Sequence, residues 1–559
     1  MDFKNELVNL IRKVIKEDVS NLLEVQTEKN YGDFSLPCFF LAKKYKKEPH
    51  KIAEELKNQI KLNKYFSKVE AVGPYLNFFI NKPLLAEIIL TKILKEKEKF
   101  GSGKEKKKIM VEFPSPNTNK PLHLGHLRNI FLGESLSRIL EKRGNKVIRA
   151  NLNNDRGVHI CQAIVAYKKY GKNKKPDKKS DHFVGDFYVL YNQKIKEEPS
   201  LEEEAQQLLN AWEQGHKETK ALWSKMTKWA LDGFNQTYDQ LGIKFNKTYN
   251  EHDFYWKGKK IILDGYKQGL FERSEDGSIS VDLGPELGRK VLLRKDGTSL
   301  YITQDLYLAE QKFKDYKLDK SVYVVGSEQD YHFKVLFRLL ALLKSKNTEK
   351  NYHLSYGMVY LPEGRMKSRE GKIVDADDIL SKMLTLSKQE LDKRYPSLSE
   401  KEKESRAKQI GFGALIFFIL KFDPARDINF NPYESLSFEG DTGPYIQYAY
   451  ARINSILQKV KKGSLRVYGN LLNGDELELV KLLGDYPRIV SGAAENHRPS
   501  IISNYLLNLV KRFNDNYKKY SIIKSEDKLK ATRLSLAVAT SYIIKDGLRL
   551  LFIDSPKEM

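Results

Sequence analysis

Two histidines, His123 and His126, flank Gly125 in the stretch SPNTNKPLHLGHLRN (115–129). Imidazoles three residues apart near a helix start face one side. They can ligate a metal, donate hydrogen bonds to a phosphate, or cap the helix. Metal fits least well, because no cysteine or acidic cluster lies nearby to complete a coordination shell. Phosphate binding and plain capping both stay open on spacing alone. Gly125 would let a nucleobase or ribose approach the backbone, where any side chain would stand in the way. A second stretch, GRMKSREGKIV (364–374), is a glycine-flanked basic loop after the strand-like YGMVYL. It can neutralise charge as a phosphoryl bond breaks, or it can be a solvated turn.

The elements around the histidines place them where a parallel sheet can hold an anion, and the pairing with the basic loop is more specific than either stretch alone. KKIMVEF (107–113) reads as a buried strand ended by Pro114 and Pro116, and a helical pattern runs from Leu124 through Lys142, closed by Gly144. KVIRANLN (146–153) is the next strand, so the histidines occupy the first turn of a βαβ unit. Parallel sheets bind ligands at that edge, and the helix N-terminus favours an anion. A later strand, SVYVVG (321–326), precedes the helix EQDYHFKVLFRLLALLK (328–344). Residues 1–94 suggest a small α+β domain, opened by an amphipathic helix bearing Phe3, Leu7, Leu10, Ile11 and Val14. A charged Gly-Ser-Gly run at 95–108 reads as a solvated linker, and from about residue 430 the pattern is nearly all helical.

At 559 residues the chain should hold about two to four domains. Its 97 Lys+Arg against 73 Asp+Glu leave a charge of +24, which suits a polyanionic partner or, more blandly, a lysine-rich solvated surface. Two distant cysteines, Cys38 and Cys161, exclude a disulfide framework and a cysteine-based zinc site, and they suit a reducing cytoplasm. No signal-peptide pattern opens the chain, and the run GALIFFIL (413–420) is too short to span a bilayer.

HLGH (123–126) paired with the basic M-x-S-R type loop RMKSR (365–369) resembles the two signatures of class I aminoacyl-tRNA synthetases. The wider text resembles the arginyl-tRNA synthetases. VEFPSPNTNKPLHLGHLRN, DGTSLYITQDLYLA (296–309), VGSEQDYHF (325–333), FEGDTGPYIQYAYARI (438–453) and the terminal SPKEM all carry the likeness. It runs from about Glu24 to Met559. It implies an α/β fold: a Rossmann-like parallel-sheet catalytic core at 105–430 with a helical insertion at about 165–250. A small α+β N-terminal domain at 1–100 and an all-α anticodon-binding domain at 431–559 complete the expectation.

The same resemblance implies roles. His123, Gly125, His126, Met366, Lys367, Ser368 and Arg369 would bind ATP, brought with Mg²⁺, and the chemistry would rest on His123, His126 and Lys120. RMKSR lacks the lysine of the usual second basic slot, a gap that Lys120 is expected to fill. Glu112, Asn117, Tyr301, Asp305 and Gln329 would bind arginine, whose five donors match planar carboxylates. From the residues alone, Asp305 could be a helix N-cap, Tyr301 a strand residue and Glu112 a satisfied edge carboxylate. FNKTYNEHDFY (245–255) departs from the family at Asn246 and at Glu251-His252, a difference read as peripheral.

Arginine's carboxylate would displace pyrophosphate from the α-phosphorus of ATP, and a terminal ribose hydroxyl of tRNA(Arg) would then take the arginyl group. The expected partners are tRNA(Arg), L-arginine and ATP, with no membrane and no zinc, in a monomeric cytoplasmic enzyme. On the helix around 443–460, Tyr445, Tyr448 and Arg452 lie opposite Ile446, Ile453, Leu457 and Val460, which suits stacking on unpaired bases or packing on another helix. The resemblance adds Tyr517 and Met559 to that RNA contact. It also places Asn77 and Phe79 on a D-loop base. A small-molecule nucleotidyltransferase shares the H-x-G-H turn but is shorter, and an RNA-binding paralogue without catalysis would need a broken signature.

Overall fold

Five short strands pair in parallel, and two of the inner ones, KIMVE and KSVYVVG, carry the apolar runs of strands covered on both faces. The five are β1 (Lys108–Glu112), β2 (Lys146–Asn153), β3 (Lys247–Asn250), β4 (Lys320–Gly326) and β5 (Asn351–Tyr356), in spatial order β5-β4-β1-β2-β3. The computed structural model describes residues 3–26, 32–360, 374–460 and 465–559. The core helices are α1 (Leu124–Lys142), α2 (Val158–Tyr170), α3 (Ser180–Lys194), α4 (Ser200–Glu213), α5 (Lys217–Leu241), α6 (Lys257–Lys267), α7 (Tyr301–Tyr316), α8 (Asp330–Leu342), α9 (Ala376–Arg394) and α10 (Glu400–Leu420). Helices α2 to α5 form the insertion between β2 and β3.

The chain divides into two units, one of Met1–Phe100, Arg452–Tyr486 and Asn508–Ile544, the other of Gly101–Ala451, Pro487–Leu507 and Lys545–Met559. The first holds a four-stranded antiparallel sheet, in spatial order Glu24–Val25, Phe34–Pro37, Tyr75–Ile80, Phe66–Val72. Leu7, Ile11, Leu36, Leu76 and Phe78 make the core of that N-terminal domain. The opening helix covers Phe3–Arg12 and stops before Val14. C-terminal to residue 443 the regular elements among the described residues are all helical, including Gly443–Lys459, Ser500–Lys519 and Asp527–Leu550. The run expected as a solvated linker holds the division between the two units, at Phe100 and Gly101, and much of it is exposed, but both of its ends are tied down. Helix Lys82–Glu96 enters it, Gly103 N–H donates to Lys142 O at 3.0 Å, and Glu105 pairs with Arg143 at 3.0 Å.

Helix α1 is buried almost all round, and a charge inside it orders its surroundings. Arg128, fully buried, donates from Nη1 to the carbonyls of Gly357 (2.7 Å) and Met358 (3.0 Å). Its Nη2 reaches Pro424 O (2.9 Å) and Arg426 O (2.7 Å). Burial lowers the guanidinium to about 10, still charged at neutral pH. At the far end of α1, Lys142 and Asp546 form a buried ion pair at 2.8 Å. Arg128→Met should destabilise this unit by about 3–5 kcal/mol, since four carbonyls lose a charged donor in a dry site. The fall in thermal midpoint checks it, and a shift no larger than that of a surface substitution would contradict it.

Candidate active site

The N-terminus of α1 decides the chemistry of the two histidines. His123 is the N-cap, and its Nδ1 accepts from Gly125 N–H at 3.2 Å. His126 Nδ1 accepts from His123 N–H at 3.1 Å, closing a reciprocal capping box. A ring accepting at Nδ1 carries its proton at Nε2 when neutral. Burial and then the Lys120 charge push His123 down to about 3, and burial, His123 and Lys120 push His126 well below its usual value. Capping and anion binding are therefore not alternatives. Nδ1 caps while Nε2–H is left to donate, and the two rings lie against each other, tilted by 38° with centroids 3.9 Å apart. Gly125 has a reason the sequence did not give: a Cβ there would stand 3.0 Å from His123 Cε1, so a methyl would press on that ring.

A cavity of about 550 Å³ opens in front of this turn. Lys120, His123, Gly125 and His126 line it, as do Glu112, Asn117, Tyr301, Asp305 and Gln329. Asn117 bridges to Asn154 by backbone pairing just beyond β1 and β2. Tyr301 opens α7 and is 56% exposed, Asp305 follows one turn later, and Gln329 precedes α8. Thus Tyr301 is helical rather than in a strand, and Asp305 lies inside its helix rather than at a cap. Glu112 is buried at the end of β1 and pairs with the fully buried Lys312 at 2.5 Å, so its charge is already balanced. Asp305 accepts from His332 Nε2 at 2.6 Å. Burial works against charge on His332 most strongly, but that hydrogen bond and the Asp305 charge together outweigh it and the imidazole is raised. Met366, Lys367, Ser368 and Arg369 lie outside the described residues. The chain re-enters beside the histidines, because Leu124 N–H donates to Val374 O at 3.3 Å and Ala376 N–H to Leu122 O at 2.9 Å.

Glu251 corrects the reading of 245–255 as peripheral. It is 3% exposed, lines the cavity, and has an Oε2 with no hydrogen-bond partner in the protein. Gln304, with its amide turned to satisfy both neighbours, donates to Glu251 Oε1 at 2.5 Å and accepts from Arg156 Nη1 at 3.1 Å. Burial raises Glu251 to about 8, opposed by Arg156. The available signal was topological. Glu251 directly follows β3, and the C-terminal edge of every strand in a parallel sheet faces the ligand. Asn246, by contrast, only continues the sheet edge, exchanging hydrogen bonds with Arg149.

The residues assigned to RNA are spread over other elements. Asn77 is buried and accepts from Ser35 Oγ at 2.7 Å, while Phe79 is half-buried beneath Lys68 Nζ, 5.3 Å from its ring centre. Tyr445, Tyr448 and Arg452 are half-buried on helix Gly443–Lys459, against buried Ile446 and Ile453. Arg452 donates to Asn514 Oδ1 at 2.7 Å and lies 5.8 Å from the Tyr517 ring centre. Met559 is in a core cluster with Leu391, Ala407, Ile410 and Ala451, and its carbonyl accepts from the Tyr395 hydroxyl. Its side chain is therefore packing material in this structure rather than an open RNA contact.

Three families match the chain. Residues 89–431 match "tRNA synthetases class I (R), catalytic domain", 446–559 the "DALR anticodon binding domain", and 1–80 the "Arginyl tRNA synthetase N terminal domain". The chain is 45% identical to the arginine–tRNA ligase of Treponema denticola, over 97% of this chain and 95% of that one. It is 41% identical to that of Borrelia duttonii, over 100% and 99%. In structure it resembles Thermus thermophilus arginyl-tRNA synthetase, with a TM-score of 0.82, 28% identity and full coverage of both chains. The parallel sheet with its histidine turn, taken with these matches, makes the chain a class I aminoacyl-tRNA synthetase. Within that class it belongs to the arginine–tRNA ligase family.

The capping box makes a spectroscopic prediction. In ¹⁵N-histidine spectra, His123 and His126 should remain neutral Nε2–H tautomers from pH 7 to about 5, where an ordinary imidazole of pKa near 6.5 is mostly charged. Their depressed values mean the unfolded chain binds the protons first. This contribution to stability is thus complete above about 6.5 and drains as pH falls toward 3. Ordinary titration of both rings near 6.5 would refute the assignment.

Proposed function

We propose that the protein is an arginine–tRNA ligase, joining L-arginine to the 3′ end of tRNA(Arg) at the expense of ATP. The observation that carries the site reading is that basic donors and carboxylates meet in one cavity at the sheet's C-terminal edge. MgATP enters as substrate with its triphosphate toward the Nε2–H groups of His123 and His126, the Lys120 ammonium and the α1 N-terminus. Met366, Lys367, Ser368 and Arg369 complete the ATP contacts in this reading. Neutral N–H donors and one lysine stabilise the charge that develops as pyrophosphate departs, without tying down the leaving group.

Arginine's guanidinium takes Asp305, Glu251 and the Tyr301 hydroxyl, with Glu112, Asn117 and Gln329 toward its other groups. A carboxylate oxygen of arginine attacks the α-phosphorus and the bond to the β-phosphate oxygen breaks, giving arginyl-adenylate. A ribose hydroxyl of the tRNA then attacks the acyl carbon, its proton departs, and AMP leaves. No enzyme group becomes covalently attached, so the protein contributes position and field. The +24 charge supplies the attraction for the tRNA backbone, with Tyr445, Tyr448, Arg452 and Tyr517 as stacking candidates in the helical region. Phe79 is the N-terminal domain's candidate, whereas Asn77 and Met559 would need to be uncovered. Among the described residues no helix is long and apolar enough to cross a membrane, and both cysteines are free and buried. A monomer working in the cytoplasm is our reading of its state.

ATP–pyrophosphate exchange with arginine, run with and without cognate tRNA, tests the activity. Exchange is expected with arginine and tRNA together, and exchange driven by another amino acid instead would overturn the specificity. Lys120→Ala should lose about 10²–10³ in exchange rate while binding tRNA normally. Near-parental exchange would show that the basic loop suffices alone. Glu251 makes a pH prediction: a cationic guanidinium needs the carboxylate ionised, so kcat/KM for arginine should rise through about pH 8. Glu251→Gln should remove that rise, and an unchanged profile would exclude Glu251 as a ligand.

A further inference from the structure

Helix α3 of the insertion touches the ATP-binding turn from two directions. Gly185 lies against it so closely that a Cβ there would stand 2.6 Å from Pro121 Cδ and 3.6 Å from Lys120 Cα. Proline's ring carbon cannot swing aside as a flexible side-chain end would, so only glycine fits without moving the turn. His182, three residues before Gly185, lies on α3, and Lys179 is the residue that caps its start. Lys179 Nζ donates to Asp377 Oδ2 at 2.6 Å, and His182 Nε2 reaches the same oxygen at 2.8 Å. Thr237 of α5 donates to Asp377 Oδ1 at 3.0 Å. His182 Nδ1 also lies 3.4 Å from Asp375 Oδ2.

That clasp reaches the histidines through the backbone. Asp375 is bridged antiparallel to His123, and Ala376 N–H donates to Leu122 O at 2.9 Å. Residues 120–124 are therefore held between the Gly185 face and the 374–376 segment, and α3 controls both. Three ligand atoms from Asp181, His182 and Asp377 do lie close enough together to hold a cation. Lys179 Nζ already supplies one, at 2.6 Å from Asp377 and 3.1 Å from Asp181. Three carboxylates with a lysine and a histidine among them form a closed ion network, much stiffer than a surface pair because it is largely shielded from water.

We propose that Lys179, His182 and Gly185 are positioning residues for adenylate formation, setting where Lys120 and His123 present their donors to the triphosphate. The inference rests on reading Lys120 and His123 as ATP ligands. A displacement of about 1 Å in such a turn is enough to cost roughly 10²-fold in rate. The helical insertion is then part of the active-site scaffold and not only a surface elaboration.

The test measures ATP–pyrophosphate exchange on the full chain with cognate tRNA, reading kcat and each KM separately. Gly185→Ala should lower kcat by about 10- to 100-fold while KM for arginine stays within twofold. Lys179→Met should do the same, and Lys179→Arg should recover most of the rate. In a Lys120→Ala background Gly185→Ala should cost clearly less than it does in the parent, because the part of its effect that runs through Lys120 is already gone and only the part through His123 remains. Parental kcat in Gly185→Ala beside an impaired Lys120→Ala would overturn the proposal, as would multiplicative losses in the double variant. A silent Lys120→Ala would instead sink the underlying ATP reading. Should Gly185→Ala fail to fold, the Lys179 pair decides, and equal activity of its Met and Arg forms counts against the clasp.

Discussion

A single buried guanidinium ties the catalytic core together. Arg128 is enclosed on α1, and four carbonyls from residues 357–358 and 424–426 accept from its two terminal nitrogens, while its buried Nε has no hydrogen-bond partner. Among the described residues the two segments pair with each other over two residues each, Val359–Tyr360 with Ile428–Asn429. A charge that deep depends on the carbonyls that meet it, so losing any of the four is costly and the geometry tolerates little drift. The helix whose N-terminus carries His123 and His126 is thereby locked to the chain just before the basic loop. Backbone hydrogen bonds from Leu124 and Ala376 lock it to the chain just after.

The cavity walls combine two kinds of electrostatic group. At the α1 turn the imidazoles are kept neutral by burial and by Lys120, so they act as fixed donors rather than as movable charge. The carboxylates differ from one another by what each already has. Glu112 has Lys312, Asp305 has His332, and Glu251 keeps one oxygen without a partner. A buried carboxylate oxygen left open in this way disfavours a ligand without a donor, because such a ligand would leave that oxygen desolvated and unmatched. Charge selection can therefore be written into the cavity without any further domain.

Much of this architecture is legible in the chain. Helix Leu124–Lys142 and strand Lys146–Asn153 can be read to the residue, because Gly144 takes φ +96 and stops one element before the next begins. The motif residues were legible as a set, since a βαβ turn needs few side chains in a fixed local order. Less legible was anything depending on contacts between distant segments. The run at 95–108 has a linker's composition yet packs on Arg143, and Asn77 alternates correctly on its strand yet is buried against Ser35. Met559, at the chain's end, is core because Leu391 and Ile410 meet it there.

The sequence by itself determined the class of chemistry: a phosphate-binding turn on the first βα unit, a basic loop, and carboxylates ready for a cation. Local order and residue type suffice for that, because helix caps and strand ends are set within a few residues of chain. Only the tertiary structure decided how those groups are tuned. Glu251 became a member of the cavity, Glu112 was balanced by Lys312, and the histidines gave Nδ1 to the backbone while keeping Nε2–H. Each of these depends on burial or on a neighbour brought from elsewhere in the fold. Desolvation and through-space charge act over distance in space, and sequence separation does not record that distance.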